Sequence, residues 1–194
     1  MGPDDKASHS YNNKKTKRTA PFWNPGGHVY VFSVYMPNYY CFNIVANNSL
    51  TPQAVLIRAV EPYNKETQKY VIKINNKKDG KKKIKNERTD YSLYDGPVKS
   101  SRCMFIDKSF NNIDLTTSDD IGIFEDNNCK NYEYLFEIDN KTKNIKKISF
   151  SSNKLYKVDC SKRINIDYAE EYIDKLWRFY LKDNKYVSKF KFKD

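Results

Sequence analysis

Tyr40-Cys41-Phe42-Asn43-Ile44, Arg102-Cys103-Met104-Phe105-Ile106 and Lys154-Leu155-Tyr156-Lys157-Val158 are short apolar stretches that can be laid over one another. Each is followed by a second apolar triplet (Val55-Leu56-Ile57, Ile121-Gly122-Ile123, Ile164-Asn165-Ile166) and then by an aromatic-centred stretch: Gln68 to Ile72, Tyr134 to Ile138, and Lys175 to Phe179. A turn and an isoleucine come next, Asp79-Gly80 before Ile84 and Asn140 to Asn144 before Ile145. Runs rich in Val, Ile, Tyr and Phe favour strands. A four-strand unit cannot bury its apolar face alone, but three of them closed around a pseudo-threefold axis can, and closure removes exposed sheet edges. The expected fold is all-β, a β-trefoil of three four-strand repeats over residues 28–194. It requires Trp177 in a strand, buried opposite Tyr70 and Phe136.

Outward from these repeats, residues 1–27 read as a basic, flexible N-terminal arm that ends at the Pro25-Gly26-Gly27 turn. An insertion, residues 75–98, separates repeats one and two. The expected strands begin with Val29 to Met36, Tyr39 to Val45, Ala54 to Val60 and Lys69 to Ile74. Arg102 to Ile106, Ile121 to Phe124, Tyr134 to Ile138, Ile145 to Phe150, Lys154 to Val158 and Phe190 to Phe192 complete the set. Asp167 to Leu181 reads either as part of the third repeat or as a helix, with Asp167 as cap and Ala169, Ile173, Leu176, Trp177 and Tyr180 on one face.

The 194 residues are 15% aromatic and carry a net charge of +11, so a folded body with an anionic partner is expected. The charge is uneven: +3 over residues 1–20, +6 over 73–88, +5 over 175–194, and −7 over 107–139. Lys14, Lys15, Lys17 and Arg18 in the arm, with Lys77, Lys78, Lys81, Lys82, Lys83 and Lys85 in the inserted loop, are the candidate polyanion-binding residues. Lys-rich loops that merely solvate the fold are the competing explanation. The first residues are polar and no apolar run is long enough to cross a bilayer, so no signal or membrane-spanning segment is expected in the sequence as given, as is also true of a chain that starts at a mature N-terminus.

The chemistry of catalysis has little to work with in this pattern. Its two histidines are His9, in the polar arm, and His28, neither in a catalytic motif. Cys41, Cys103, Cys129 and Cys160 form no Cys-x-x-Cys pair, and no Gly-rich phosphate loop occurs. A non-enzymatic binding module without metal or cofactor is therefore expected.

At Gln68-Lys69-Tyr70 and in the aromatic slot of Trp177, over about residues 28–181, the chain resembles the ricin B-type lectin family. Its Lys, Asn and Tyr usage is similar to that of the divergent members found in microsporidia. The resemblance implies a glycan site in repeat one, built from Asn43, Thr67, Gln68 and Tyr70, because the acidic slots of the other repeats hold Phe105 and Lys157. It also implies a candidate disulfide between Cys103 and Cys129. Against it stands the simpler reading of Cys41 and Cys103 as small core residues. Two functions remain open: a secreted or surface lectin that recognises glycans or anionic polymers, and a cytoplasmic protein that binds ribosomal or other RNA through the arm and loop.

Overall fold

A computed structural model describes residues 1–34, 36–46, 51–79, 91–124, 132–134, 136–139, 142, 144–147 and 156–188. The chain divides into two compact units. The first comprises Met1–Asp4, Ser8–Gly122 and Lys185–Asp194, and the second Asp5–Ala7 and Ile123–Asn184.

The first unit is built on an antiparallel meander of β1 (Val29–Ser33), β2 (Tyr40–Val45) and β3 (Ala54–Leu56). Its register pairs Val31 with Phe42, Tyr30 with Asn43, and Asn43 with Leu56. Pro37 and a left-handed Asn38 (φ 71°) turn the chain between β1 and β2. Side chains alternate faces along a strand. Val29, Val31 and Phe42 accordingly pack with Ile106 and Leu115, whereas Tyr30 points the other way, onto Phe22 and Ala54.

After β3 comes α1 (Lys65–Asp79), started by Asn64, whose Oδ1 accepts hydrogen bonds from the Thr67 amide (2.8 Å) and hydroxyl (3.0 Å). A second helix, α2 (Pro97–Cys103), opens with Pro97 at its first turn, where a missing N–H costs nothing. Val71 of α1, Tyr94, Cys103 and Tyr186 form the core beneath the helices.

Residues 1–27, expected as a flexible arm, are packed where they belong to the first unit. Ser10 Oγ donates to Pro52 O (2.9 Å), the Asn12 amide donates to Pro3 O (2.8 Å), and Phe22 is fully buried.

In the second unit, β4 (Tyr132–Tyr134) runs parallel to β7 (Tyr156–Ser161), which pairs antiparallel with β8 (Arg178–Leu181). A separate hairpin joins β5 (Phe136–Ile138) and β6 (Ile145–Lys147). Asp5, almost fully buried, receives two hydrogen bonds from the Arg163 guanidinium (2.7 and 2.9 Å), and that guanidinium lies 5.2 Å from the Trp177 ring centre.

This architecture is a mixture of helices and small sheets and corrects the β-trefoil expectation. Lys69 to Ile74, the expected aromatic-centred strand of repeat one, lies inside α1, and Tyr70 is 58% exposed. The Asn64 cap and the buried anchor Val71 favour a helix there over a strand. Arg102 and Cys103 end α2, and Ile121 to Phe124 form no strand. Asp167 to Leu181 is not one helix: it divides into a 3-10 turn (Glu170–Ile173) and β8. Trp177 precedes β8 and packs on Tyr172, at a ring separation of 5.8 Å. The Phe136 side chain and residues 189–194, including the expected strand Phe190 to Phe192, lie outside the described residues.

Candidate functional site

The site is assembled on the face of the first sheet opposite the Val31–Phe42 core. Antiparallel register sets Tyr30 directly across from Asn43, and Phe32 across from Cys41. Directly opposed residues share a face. All four therefore look toward the segment Ser8–Trp23.

His9 Nδ1 and the Tyr30 hydroxyl share a hydrogen bond of 2.8 Å, and the imidazole meets the Phe32 ring in an edge-on contact, centroids 4.5 Å apart. Phe22 backs Tyr30 at 4.6 Å. The Arg18 guanidinium lies over the Phe32 ring, 5.3 Å from its centre. The result is a half-buried cluster of aromatic rings, edged by an imidazole and covered by one cation.

Burial, reinforced by the positive charge of Arg18, pushes His9 from the ordinary 6.5 down to about 4, so the ring is neutral at pH 7. In the tautomer in which the Tyr30 hydroxyl donates to Nδ1, the ring proton sits on Nε2 and is free to be donated. Burial raises the Tyr30 hydroxyl, an effect that Arg18 partly offsets. Burial also holds the Cys41 thiol up at about 11, which removes it as a nucleophile at neutral pH.

Asn43 stands across from Tyr30 on the same face of the sheet. Fully buried, it donates from Nδ2 to the carbonyls of Tyr30 (3.0 Å) and Cys41 (3.3 Å), while its Oδ1 meets no donor among the described residues.

Beside this cluster, Lys14, Lys15, Lys17 and Arg18 project from a hydrogen-bonded turn. Thr19 Oγ1 donates to Lys14 O (2.9 Å), and the Thr16 amide donates to Thr19 Oγ1 (2.8 Å). All four basic side chains are exposed, and Lys15 reaches over Trp23 at 5.5 Å. Aromatic faces with a basic rim suit a base attached to a phosphate backbone.

The residues grouped as a glycan site do not meet. Asn43 is inside the sheet, whereas Thr67, Gln68 and Tyr70 lie in the first two turns of α1, where Tyr70 stands edge-on to Phe105 at 6.0 Å. Of the inserted lysines, the side chains of Lys77 and Lys78 and the whole of Lys81, Lys82, Lys83 and Lys85 lie outside the described residues, as does Cys129. Cys103 carries a free thiol that donates to Ser100 O at 3.1 Å, and burial holds it up at about 12. Among the described residues no cluster of His, Cys, Asp and Glu could hold a metal, and no helix is long and apolar enough to cross a membrane.

His9, Tyr30 and Phe32 are the site residues that sequence reasoning missed. The available signal was the period-2 aromatic pair Tyr30 and Phe32, whose common face needs a partner, together with a histidine framed by Ser8 and Ser10.

The family model for methylpurine-DNA glycosylase matches residues 1–185. A protein of Natranaerobius thermophilus is 38% identical over 187 residues, covering 96% of this chain and 77% of its own length. One of Clostridium novyi is 42% identical over 195 residues, covering 97% and 78%. One of Borreliella burgdorferi is 35% identical over 190 residues, covering 97% and 77%. All three carry the provisional name 3-methyladenine DNA glycosylase.

The match runs through the supposed arm and the supposed insertion alike, and it overturns the ricin-type resemblance together with the lectin and ribosomal RNA readings drawn beside it. It overturns the non-enzymatic expectation too, since glycosylases are enzymes, and it replaces glycan by damaged DNA as the partner chemistry. The chain belongs to the methylpurine-DNA glycosylase family.

Proposed function

We propose that this chain excises alkylated purines of the 3-methyladenine kind from DNA, receiving the flipped-out nucleotide in a base pocket that opens at the His9–Phe32 cluster. A base inside a duplex cannot be reached by a protein side chain at its glycosidic bond, so it must be swung into a pocket that stacks and hydrogen-bonds it. A purine methylated on a ring nitrogen carries positive charge. When the C1′–N bond breaks, the bonding electron pair leaves with the base and neutralises that charge, water oxygen bonds to C1′ and gives up one proton to solvent, and an abasic site remains.

The observation that carries this reading is the Phe32 face, which already holds a cation at 5.3 Å with a neutral imidazole at its edge. An aromatic face attracts a cationic ring more than a neutral one. A neutral His9 adds no repulsion, and its Nε2 ring proton can meet an acceptor on the base. Arg18, exposed at the rim, can exchange the Phe32 face for a phosphate as the base enters.

The test is incubation of the full chain with duplex DNA carrying 3-methyladenine, with chromatography of released base and parallel binding measurements on modified and unmodified duplexes. Tighter binding of the alkylated duplex, release of methylated base, and loss of both in Phe32→Ala are expected. Equal binding of the two duplexes with no base released overturns the proposal.

A further inference from the structure

Lys65, Lys69 and Lys73 stand four residues apart along α1, so with 3.6 residues per turn they form one stripe rising about 12 Å. All three are exposed. Val71, 3% exposed, projects from the opposite side of the helix into the Tyr94–Cys103–Tyr186 core and fixes which face of α1 looks outward. None of the three lysines forms an ion pair with a described residue, and the one acid in the first turn is Glu66. Like charges at i and i+4 each cost a helix roughly 0.2–0.5 kcal/mol. The stripe therefore opposes the helix that displays it and receives no compensation within the described residues.

Two tyrosines accompany it. Tyr63, 96% exposed, precedes the Asn64 cap at the Lys65 end, and Tyr70 flanks Lys73 on the next turn. Phenolic hydroxyls beside ammonium groups bond phosphate oxygens and carry no base preference. A 12 Å run matches the axial length of about three to four nucleotides of one duplex strand.

We propose that the Lys65–Lys69–Lys73 face of α1 docks the sugar–phosphate backbone of duplex DNA as a second contact surface beside the base pocket. This rests on the reading of the chain as a DNA glycosylase and extends it to how the duplex is held. Helix and cluster belong to the same compact unit, and the segment leading into α1 comes directly from β3, whose Leu56 pairs with Asn43. The surface is independent of base identity, so it serves scanning and retention, while selection belongs to the pocket.

The experiment measures binding of the full chain to a short fluorescent duplex, alkylated or unmodified, between about 50 and 200 mM salt. In K65A/K69A/K73A the log–log salt slope becomes shallower by about 2 to 3, at about 0.9 for each lost contact. Binding weakens equally on both duplexes, and the base-release rate at saturating duplex is unchanged. Alanine is the better helix former, so the helix signal in circular dichroism is retained. Conversely, Glu66→Lys on the same face steepens the slope by about 0.9. An unchanged slope in the triple variant, with preference for the alkylated duplex intact, overturns the docking surface and leaves the glycosylase reading standing. A shallower slope in a protein that shows no preference for alkylated DNA and releases no base leaves the surface standing and sinks the enzymatic reading. Tighter binding of an RNA duplex than of DNA overturns the choice of partner.

Discussion

Lowering the pH from 7 toward 4 titrates His9 in the unfolded chain long before the folded one. The unfolded imidazole takes its proton near the ordinary 6.5, whereas the folded ring, desolvated and beside Arg18, resists protonation down to about 4. Above 6.5 both states are neutral and the stability is complete. Between 6.5 and 4 the unfolded state binds more proton, so stability falls as the pH falls, and below about 4 this loss is complete. At 1.36 kcal/mol for each tenfold difference in proton affinity the ceiling is about 3 kcal/mol, and the remaining solvent contact of the half-buried ring reduces it to about 1–2 kcal/mol. Two histidines make the assay simple. The Cε1 proton resonances of His9 and His28 are followed by NMR across pH, with His28→Gln to assign them, and denaturant unfolding is compared for the wild type and His9→Gln. His9→Gln is expected to flatten the stability profile between 6.5 and 4. An His9 resonance that titrates near 6.5, or parallel stability profiles for the two proteins, refutes a desolvated ring packed against Phe32 and Tyr30.

Asn43→Asp places a carboxylate where an amide now donates to two carbonyls, and is expected to cost about 3–5 kcal/mol in denaturant unfolding, more than Asn43→Ala. Gly27→Ala would require a side chain at φ +98° and put its Cβ 2.9 Å from Thr116 Cγ2. A loss of about 1–3 kcal/mol is expected, read as a Tm lower by about 3–8 °C. Arg163→Ala strips the nearly buried Asp5 carboxylate of its two guanidinium bonds and is expected to cost about 3–5 kcal/mol, whereas Asp5→Asn with Arg163→Met recovers much of it.

What composition and periodicity reveal about this chain is local. β1, β2 and β3 are legible because Val, Ile, Tyr and Phe alternate between turn residues, and their pairing follows from short connections. The apparent threefold repeat arises because short apolar triplets recur in a chain with 16 Tyr and 11 Phe, and a triplet such as Tyr70-Val71-Ile72 serves a helix as readily as a strand. The parallel pairing of β4 with β7 depends on tertiary packing that no local pattern encodes. The basic rim, Lys14 to Arg18, is visible as charge, but charge alone does not distinguish a phosphate backbone from a sulfated glycan. His9 is obscure for another reason: its partner Tyr30 is 21 residues away, so the imidazole looks like part of a polar tail until the sheet is folded.

Both compact units are made of pieces that are distant in the chain, and this sets an order on their completion. Asp5 waits for Arg163, 158 residues later, and Lys6 waits for Glu170 and Glu171. Tyr186, which closes the Val71–Tyr94–Cys103 core of the first unit, follows every residue of the second. As the polypeptide leaves the ribosome N-terminus first, the early meander forms from neighbours, while each unit remains open until nearly all of these residues have emerged. Cleavage after Asn184 would therefore unseat the core beneath α1 and α2, so a protease or premature stop at that position acts on the first unit from the far end of the chain.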